Sequence, residues 1–288
     1  MKLWTKVIYP PLGSPFLLSG HTMLLGSCFA DTIGGKMAAA GFNVLVNPFG
    51  TLYNPASLLS AVERLDSDTM FGLSDCVEMG AQAGRICSFE HHTSFARETA
   101  EEFLENANAR LLEARAFWKC CDRVILTLGT SFVWYAGGKP VSNCLKRPAG
   151  EFTRRMLSVE ESAACLDKII KAHPDKRFML TVSPIRHLGD GAHANSVSKA
   201  RLLLAADGCS GADYFPAFEI LNDELRDYRF YADDLVHPSN QAVEYIWEAF
   251  LDGCTDPGER EMIEQNEKAA RLKAHRKILS GDLTTLQA

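Results

Sequence analysis

Short apolar runs alternate along this chain with longer stretches of helical spacing. The runs fall at 22–25, 43–46, 123–128, 178–182 and 214–215. Apolar runs this short, bounded by Gly, Pro, Asn and Ser, are the pattern of strands buried on both faces. Between them, apolar residues recur every three to four positions. The stretch at roughly 94–119 carries Phe95, Phe103, Leu104, Leu111, Leu112, Phe117 and Trp118 among charges, a stripe that a sheet-covering helix would bury. Further helices are expected near 158–172, 195–206 and 239–251. Buried strands alternating with helices predict a mainly parallel sheet covered on both faces, a three-layer α/β/α sandwich of flavodoxin-like type. In such a fold, ligand sites lie in the loops that leave the carboxyl ends of the strands.

The predicted strand ends carry polar punctuation: Gly26-Ser27, Asn47-Pro48-Phe49-Gly50, Gly129-Thr130-Ser131 and Ser183-Pro184-Ile185-Arg186-His187. At the first, Ser27 sits where a strand passes directly into a helix, beside unpaired N–H groups that suit a developing oxyanion. Far along the chain, Asp234-Leu235-Val236-His237 supplies an acid and a base three residues apart, a spacing that can put both on one face of a turn. Together these read as a split Ser/His/Asp site. His237 takes the Ser27 proton and returns it to the leaving group, while Asp234 orients the imidazole. Asp233 is the lesser candidate for orienter. Cys28 is a second potential nucleophile, a thiol at a helix start, although the residue after Ser27 is expected to point away from the site toward the core. Each element also has a structural reading on its own: Gly-Ser as a helix N-cap, and Asp-x-x-His as a capped loop opening the final helix.

Composition narrows the function class. With 288 residues, 47% of them hydrophobic, the chain can bury a full core, and one domain over residues 1–256 with a charged helical tail over 257–288 is expected. The formal net charge of −6 argues against a nucleic-acid or polybasic membrane surface. No run approaches the roughly 18 apolar residues of a membrane span, and Pro, Gly and His break the first 21 positions, so a cytoplasmic location is expected. Nine scattered cysteines without a Cys-x-x-Cys pair read as reduced thiols. Neither Cys87 with His91 and His92, nor His187 with His193, has a recognised zinc spacing, so no metal or organic cofactor is expected.

Several blocks resemble the GSCFA domain family. The run Gly26-Ser27-Cys28-Phe29-Ala30 spells the motif for which that family is named. TLGTSFVWY at 127–135, VSNCLK at 141–146, TVSPIRH at 181–187, SKARLLL at 198–204 and DELRDYRFYADDLVHPS at 223–239 also look like it. The resemblance runs from about residue 20 to 251. That family is grouped with the SGNH hydrolases, so the resemblance implies the α/β/α sandwich and a serine hydrolase ancestry. It matches Ser27 to the nucleophile and Asp234 and His237 to the Asp-x-x-His of the last block. Gly50 is the counterpart, by position, of the glycine whose N–H helps form an oxyanion hole. The third block departs: Gly129-Thr130-Ser131-Phe132 has no asparagine, and Asn143 downstream is the substitute candidate. Leu145 stands where the family pattern is expected to have a histidine. Arg186 and His187 are substrate-contact candidates, with an Arg186–Asp190 salt bridge as the structural alternative. The implied activity is hydrolysis of a small-molecule or glycan acyl ester, a sugar O-acetyl group being preferred. The alternatives are an O-acyltransferase using the same triad and a non-catalytic binding module.

Overall fold

In a computed structural model, which describes residues 4–80 and 84–279, the elements run β1 (His21–Gly26), α1 (Cys28–Ala39), β2 (Asn43–Val46), α2 (Pro55–Asp66), β3 (Val77–Glu78), β4 (Ile86–Cys87), α3 (Ala100–Cys120) and β5 (Arg123–Leu128). They continue β6 (Phe132–Ala136), β7 (Lys139–Val141), β8 (Phe152–Met156), α4 (Val159–Ala172), β9 (Arg177–Val182) and α5 (Gly191–Asp207). Last come β10 (Ala212–Tyr214), α6 (Ala217–Glu219), α7 (Asn240–Cys254) and α8 (Arg260–Leu279). The central sheet has five parallel strands in the order β10-β9-β5-β1-β2. Chain order therefore reverses beside β1, the switch point at which a doubly wound sheet opens a crevice.

The two faces of the sheet bury separate cores because successive side chains of a strand alternate in direction. Met23 and Leu25 of β1 join one cluster with residues of α2, α3, α4 and α5. Leu24 joins the other with residues of α1 and α7. This is the expected α/β/α sandwich. The predicted 94–119 helix begins later, at Ala100, because the Thr99 hydroxyl accepts from the Glu102 N–H and caps it, while 93–95 form a separate short turn. The charged C-terminal segment is not solvated all round: Ile263 is fully buried, Trp247 Nε1 donates to Glu267, and Asn266 Nδ2 donates to the Ala40 carbonyl. An antiparallel sheet, β7-β6-β8, was not anticipated from the sequence, and it stands over the carboxyl end of the central sheet. Among the described residues no helix is long and apolar enough to cross a membrane.

Two features of the fold carry predictions. Gly26 has φ +149°, and a Cβ there would lie 2.3 Å from the Thr127 carbonyl oxygen of β5. Gly26→Ala is expected to cost about 3 kcal/mol in urea unfolding, since neither backbone can yield without breaking the ladder. His91 is enclosed by the rings of Phe49, Phe71, Phe95 and Phe103, and Ser88 Oγ lies 2.7 Å from its Nδ1. Burial, aided by the Arg64 charge, pushes its pKa down to about 3. The unfolded chain then binds the proton more readily than the folded one. This stabilising contribution is complete above pH 6.5 and is lost as pH falls toward about 3. His91→Gln is expected to flatten acid unfolding across that window, measured by urea midpoint against pH.

Candidate active site

The junction of β1 and α1 gives Ser27 and Cys28 different jobs. Ser27 is the N-cap of α1, with φ −66° and ψ 171°, and its Oγ accepts from the Phe29 N–H at 3.3 Å. It is fully buried, and no hydrogen bond joins it to His237. Cys28, the first helical residue, is half-buried and lines a cleft, with its Sγ 3.7 Å from His237 Nε2. Cys28 was expected to turn toward the core and Ser27 toward the site; the structure has them the other way round. A capping oxygen must fold back over the first-turn amides, which draws the Ser27 side chain under the helix start, and the next residue then projects from the sheet edge.

The loop before α7 holds the histidine by backbone geometry. Asp234 Oδ1 accepts from the N–H groups of Val236 and His237, both at 2.9 Å, and Oδ2 lies 2.6 Å from His237 Nδ1. A carboxylate at Nδ1 fixes the proton there and leaves Nε2 as the acceptor facing Cys28. The three groups thus stand in line as thiol, imidazole and carboxylate. The His237 amide, the ring and the Val236 amide together hold the Asp234 carboxyl down to about 2, so it remains ionised well into acid. Asp233 makes no hydrogen bond to the ring. Leu235 takes a left-handed conformation, φ 55°, which closes the turn so tightly that Asp234 can reach both amides.

Arg186 belongs to this loop and not to the cleft wall. Its N–H donates to the Val236 carbonyl and its Nη1 to the Leu235 carbonyl at 2.9 Å, while its guanidinium lies 5.3 Å from the Tyr231 ring. Its expected role as a substrate contact is replaced by bracing of the histidine loop. The alternative Arg186–Asp190 pair is not formed either: Asp190 takes a two-point pair with Arg154, Nη2 to Oδ2 at 2.6 Å.

The cleft encloses about 350 Å³, within the range of small-molecule sites. Cys28 and His237 stand at one end, with Tyr53, Asn54 and Thr130 beside them and Phe132 and Trp134 of β6 as the far wall. Arg154 of β8 stacks 3.9 Å from the Phe132 ring and 5.0 Å from that of Trp134, stiffening the wall while Asp190 answers its charge. His187 lines the cleft, its ring edge-on to Tyr53. Burial, with the Lys199 and His237 charges adding, pushes the His187 pKa down to about 4, so the ring is neutral near pH 7.

Neither expected oxyanion donor is among the residues that line the cleft. The Gly50 N–H donates to the Asn47 carbonyl at 2.7 Å, and His92 crowds the space above its Cα. A glycine there serves the positive φ of 79° and not the site. Asn143 Oδ1 accepts from the Leu145 N–H at 2.8 Å, stabilising a turn in which Leu145, φ 52°, is fully buried. It is the preceding residue, Ser142, that lines the cleft.

The sequence reading gave no role to Lys199, although its block was one of those carrying the family resemblance. Lys199 is 2% exposed and donates to the Gly129 and Ser183 carbonyls at 2.6 and 2.7 Å, tying the ends of β5 and β9 beneath the cleft. Burial pushes its pKa down to about 7. The Cys28 thiol is raised, first by burial and then by the Asp31 charge, with the amides of Cys28 and Phe29 and the Lys199 charge pulling the other way. Such a thiol stays protonated near neutral pH and needs a base. Among the described residues no three of His, Cys, Asp and Glu are grouped as metal ligands.

A parallel α/β/α sandwich with its polar groups gathered at the switch point defines the class of fold, a doubly wound sheet. The chain belongs to the GSCFA family, whose model matches residues 21–250. No curated protein matches it significantly. Among solved structures it is similar to a protein from Streptococcus pneumonia described as a platelet activating factor, at 12% identity and TM-score 0.40 over 81% of this chain and 83% of that one. It is also similar to a carbohydrate esterase family 3 protein from Talaromyces cellulolyticus, at 10% identity and TM-score 0.37 over 85% and 99%. A third is a carbohydrate esterase family 2 enzyme with a carbohydrate binding domain from Corynascus thermopiles, at 13% identity and TM-score 0.35 over 86% and 68%. Likenesses at this level add nothing to the reading of the site.

Proposed function

We propose that this chain is an acyl-transfer enzyme that hydrolyses carboxylic esters through a thioester on Cys28. The observation that carries this reading is the line from Asp234 through His237 to Cys28, 2.6 Å at one joint and 3.7 Å at the other, with Cys28 and His237 both lining the cleft. His237 Nε2 accepts the thiol proton as sulfur attacks the ester carbonyl carbon, and the carbonyl electron pair moves onto oxygen. When that pair returns, the carbon–oxygen bond to the alcohol breaks and His237 delivers its proton to the departing oxygen. A water then gives a proton to His237 and attacks the thioester, releasing the acid and restoring the thiol. Asp234 keeps the ring in the required tautomer and stabilises the imidazolium formed in each half. An acceptor hydroxyl in place of water would make the same site an O-acyltransferase.

For the substrate, the cleft supports a small acyl ester of a polyhydroxylated alcohol such as a sugar. Trp134 offers an aromatic wall for the apolar face of a ring, and Thr130, Ser142 and His187 offer hydrogen-bonding groups around it. The test is turnover of acetylated sugars and short acyl esters before and after treatment with iodoacetamide. Activity is expected in the untreated protein and its loss in proportion to alkylation of Cys28. Turnover that survives complete alkylation of Cys28 would overturn the thioester route and return the nucleophile to Ser27.

A further inference from the structure

The thioester route, on which this inference rests, needs donors for the oxyanion, and neither Gly50 nor Asn143 lines the cleft. We infer that Asn54 supplies one from its Nδ2 and the Cys28 N–H supplies the other. Asn54 is the N-cap of α2, and its Oδ1 accepts from the Ser57 N–H at 2.9 Å. That bond fixes which end of the amide is which: the oxygen faces the helix, so the nitrogen faces away from it. The side chain is 5% exposed and borders the cleft beside Cys28 and Tyr53, and Nδ2 has no acceptor among the described residues. A nearly buried amide donor with no protein partner, turned into a cleft, is the kind of group that a ligand oxygen satisfies.

Its placement is fixed by backbone bonds. The Leu52 N–H donates to the Gly26 carbonyl at 2.8 Å, and the Tyr53 carbonyl accepts from the N–H groups of Gly129 and Thr130 at 2.9 and 2.8 Å. The loop that carries Asn54 is thus clamped across the ends of β1 and β5, next to the nucleophile. Cys28 is the first residue of α1, so its N–H has no intrahelical acceptor, and the group it meets in this structure is the Cys28 sulfur itself. Two donors on two rigid elements flank the position of the reacting carbonyl. They cost no reorganisation when charge develops on its oxygen.

Two reactions of the same thiol separate this role from a structural one. Acylation by p-nitrophenyl acetate passes through an oxyanion, whereas alkylation by iodoacetamide does not. Asn54→Ser keeps a capping oxygen for α2 and removes the amide donor. It is expected to slow acylation of Cys28 by on the order of 100-fold while changing alkylation by no more than about twofold. Asn54→Asp keeps the cap and places a carboxylate where the donor stood, and is expected to slow acylation further. Unchanged acylation in both variants, or acylation and alkylation falling together, would overturn the assignment. A wild-type protein that alkylates at Cys28 but never acylates there would overturn the thioester route itself, and that result is visible before any variant is made.

Discussion

Cys28→Ala is expected to abolish ester turnover and acyl-adduct formation, while Ser27→Ala leaves the nucleophile in place and weakens the fold. The contrast follows from one turn of backbone. Ser27 Oγ is buried and engaged with the Phe29 N–H, so its removal costs α1 its cap, about 1 kcal/mol, and lowers the urea midpoint accordingly. Cys28 Sγ is the atom that faces the imidazole, and no other nucleophilic side chain lies within hydrogen-bond reach of His237 Nε2 among the described residues. The double variant is expected to behave as the sum of the two, inactive like Cys28→Ala and destabilised like Ser27→Ala. Loss of turnover in Ser27→Ala with an unshifted urea midpoint would contradict this division of labour.

Removing the base has the second-largest effect. Burial and the Asp31 charge keep the Cys28 thiol protonated near neutral pH, so His237→Ala is expected to slow acylation about 10³-fold there. The deficit should shrink as pH rises, because the variant can react only through spontaneously ionised thiol, whose population grows about tenfold per pH unit until the thiol titrates. Asp234→Asn is expected to lose activity through the tautomer: an amide can donate to Nδ1, which would leave the proton on Nε2 and the wrong atom facing the thiol. The loss is expected to approach that of His237→Ala, since the ring then presents no acceptor to the thiol. A rate in His237→Ala that shows the wild-type deficit at every pH would mean that the ring holds structure and does not move the proton. Acylation rate against pH for wild type and His237→Ala measures this directly.

The sheet was readable because β1, β5 and β9 are apolar runs with polar ends, buried on both faces, whereas β10, ADY, is short and half-buried at the sheet edge, where the apolar signal came from Tyr214-Phe215. The contact between Asp234 and His237 follows from their spacing, because it is made locally, within one turn. Other parts depend on long-range placement. β7 and β8 carry short mixed sequences, KPV and FTRRM, and β6, FVWYA, is an apolar run that becomes a wall of the cleft only through its pairing with them. The choice between Ser27 and Cys28 turns on which side chain caps the helix, a detail that motif spacing leaves open, since either residue can stand at a strand-to-helix junction. Asn54 was not singled out in the sequence, because its amide nitrogen gains meaning only when the Tyr53 carbonyl docks on Gly129 and Thr130. Asn143 lies near the departed block in sequence, but Ser142, the residue before it, is the one that lines the cleft.

The most direct test of the central claim is intact mass after brief exposure to p-nitrophenyl acetate, on wild type, Cys28→Ala and Ser27→Ala, with each sample then split and treated with neutral hydroxylamine. One acetyl group is expected on wild type and on Ser27→Ala, located on Cys28 by peptide mapping and removed by hydroxylamine as a thioester is. None is expected on Cys28→Ala. An acetyl group that persists on Cys28→Ala, disappears in Ser27→Ala and resists hydroxylamine as an oxygen ester does would contradict the account and make Ser27 the nucleophile.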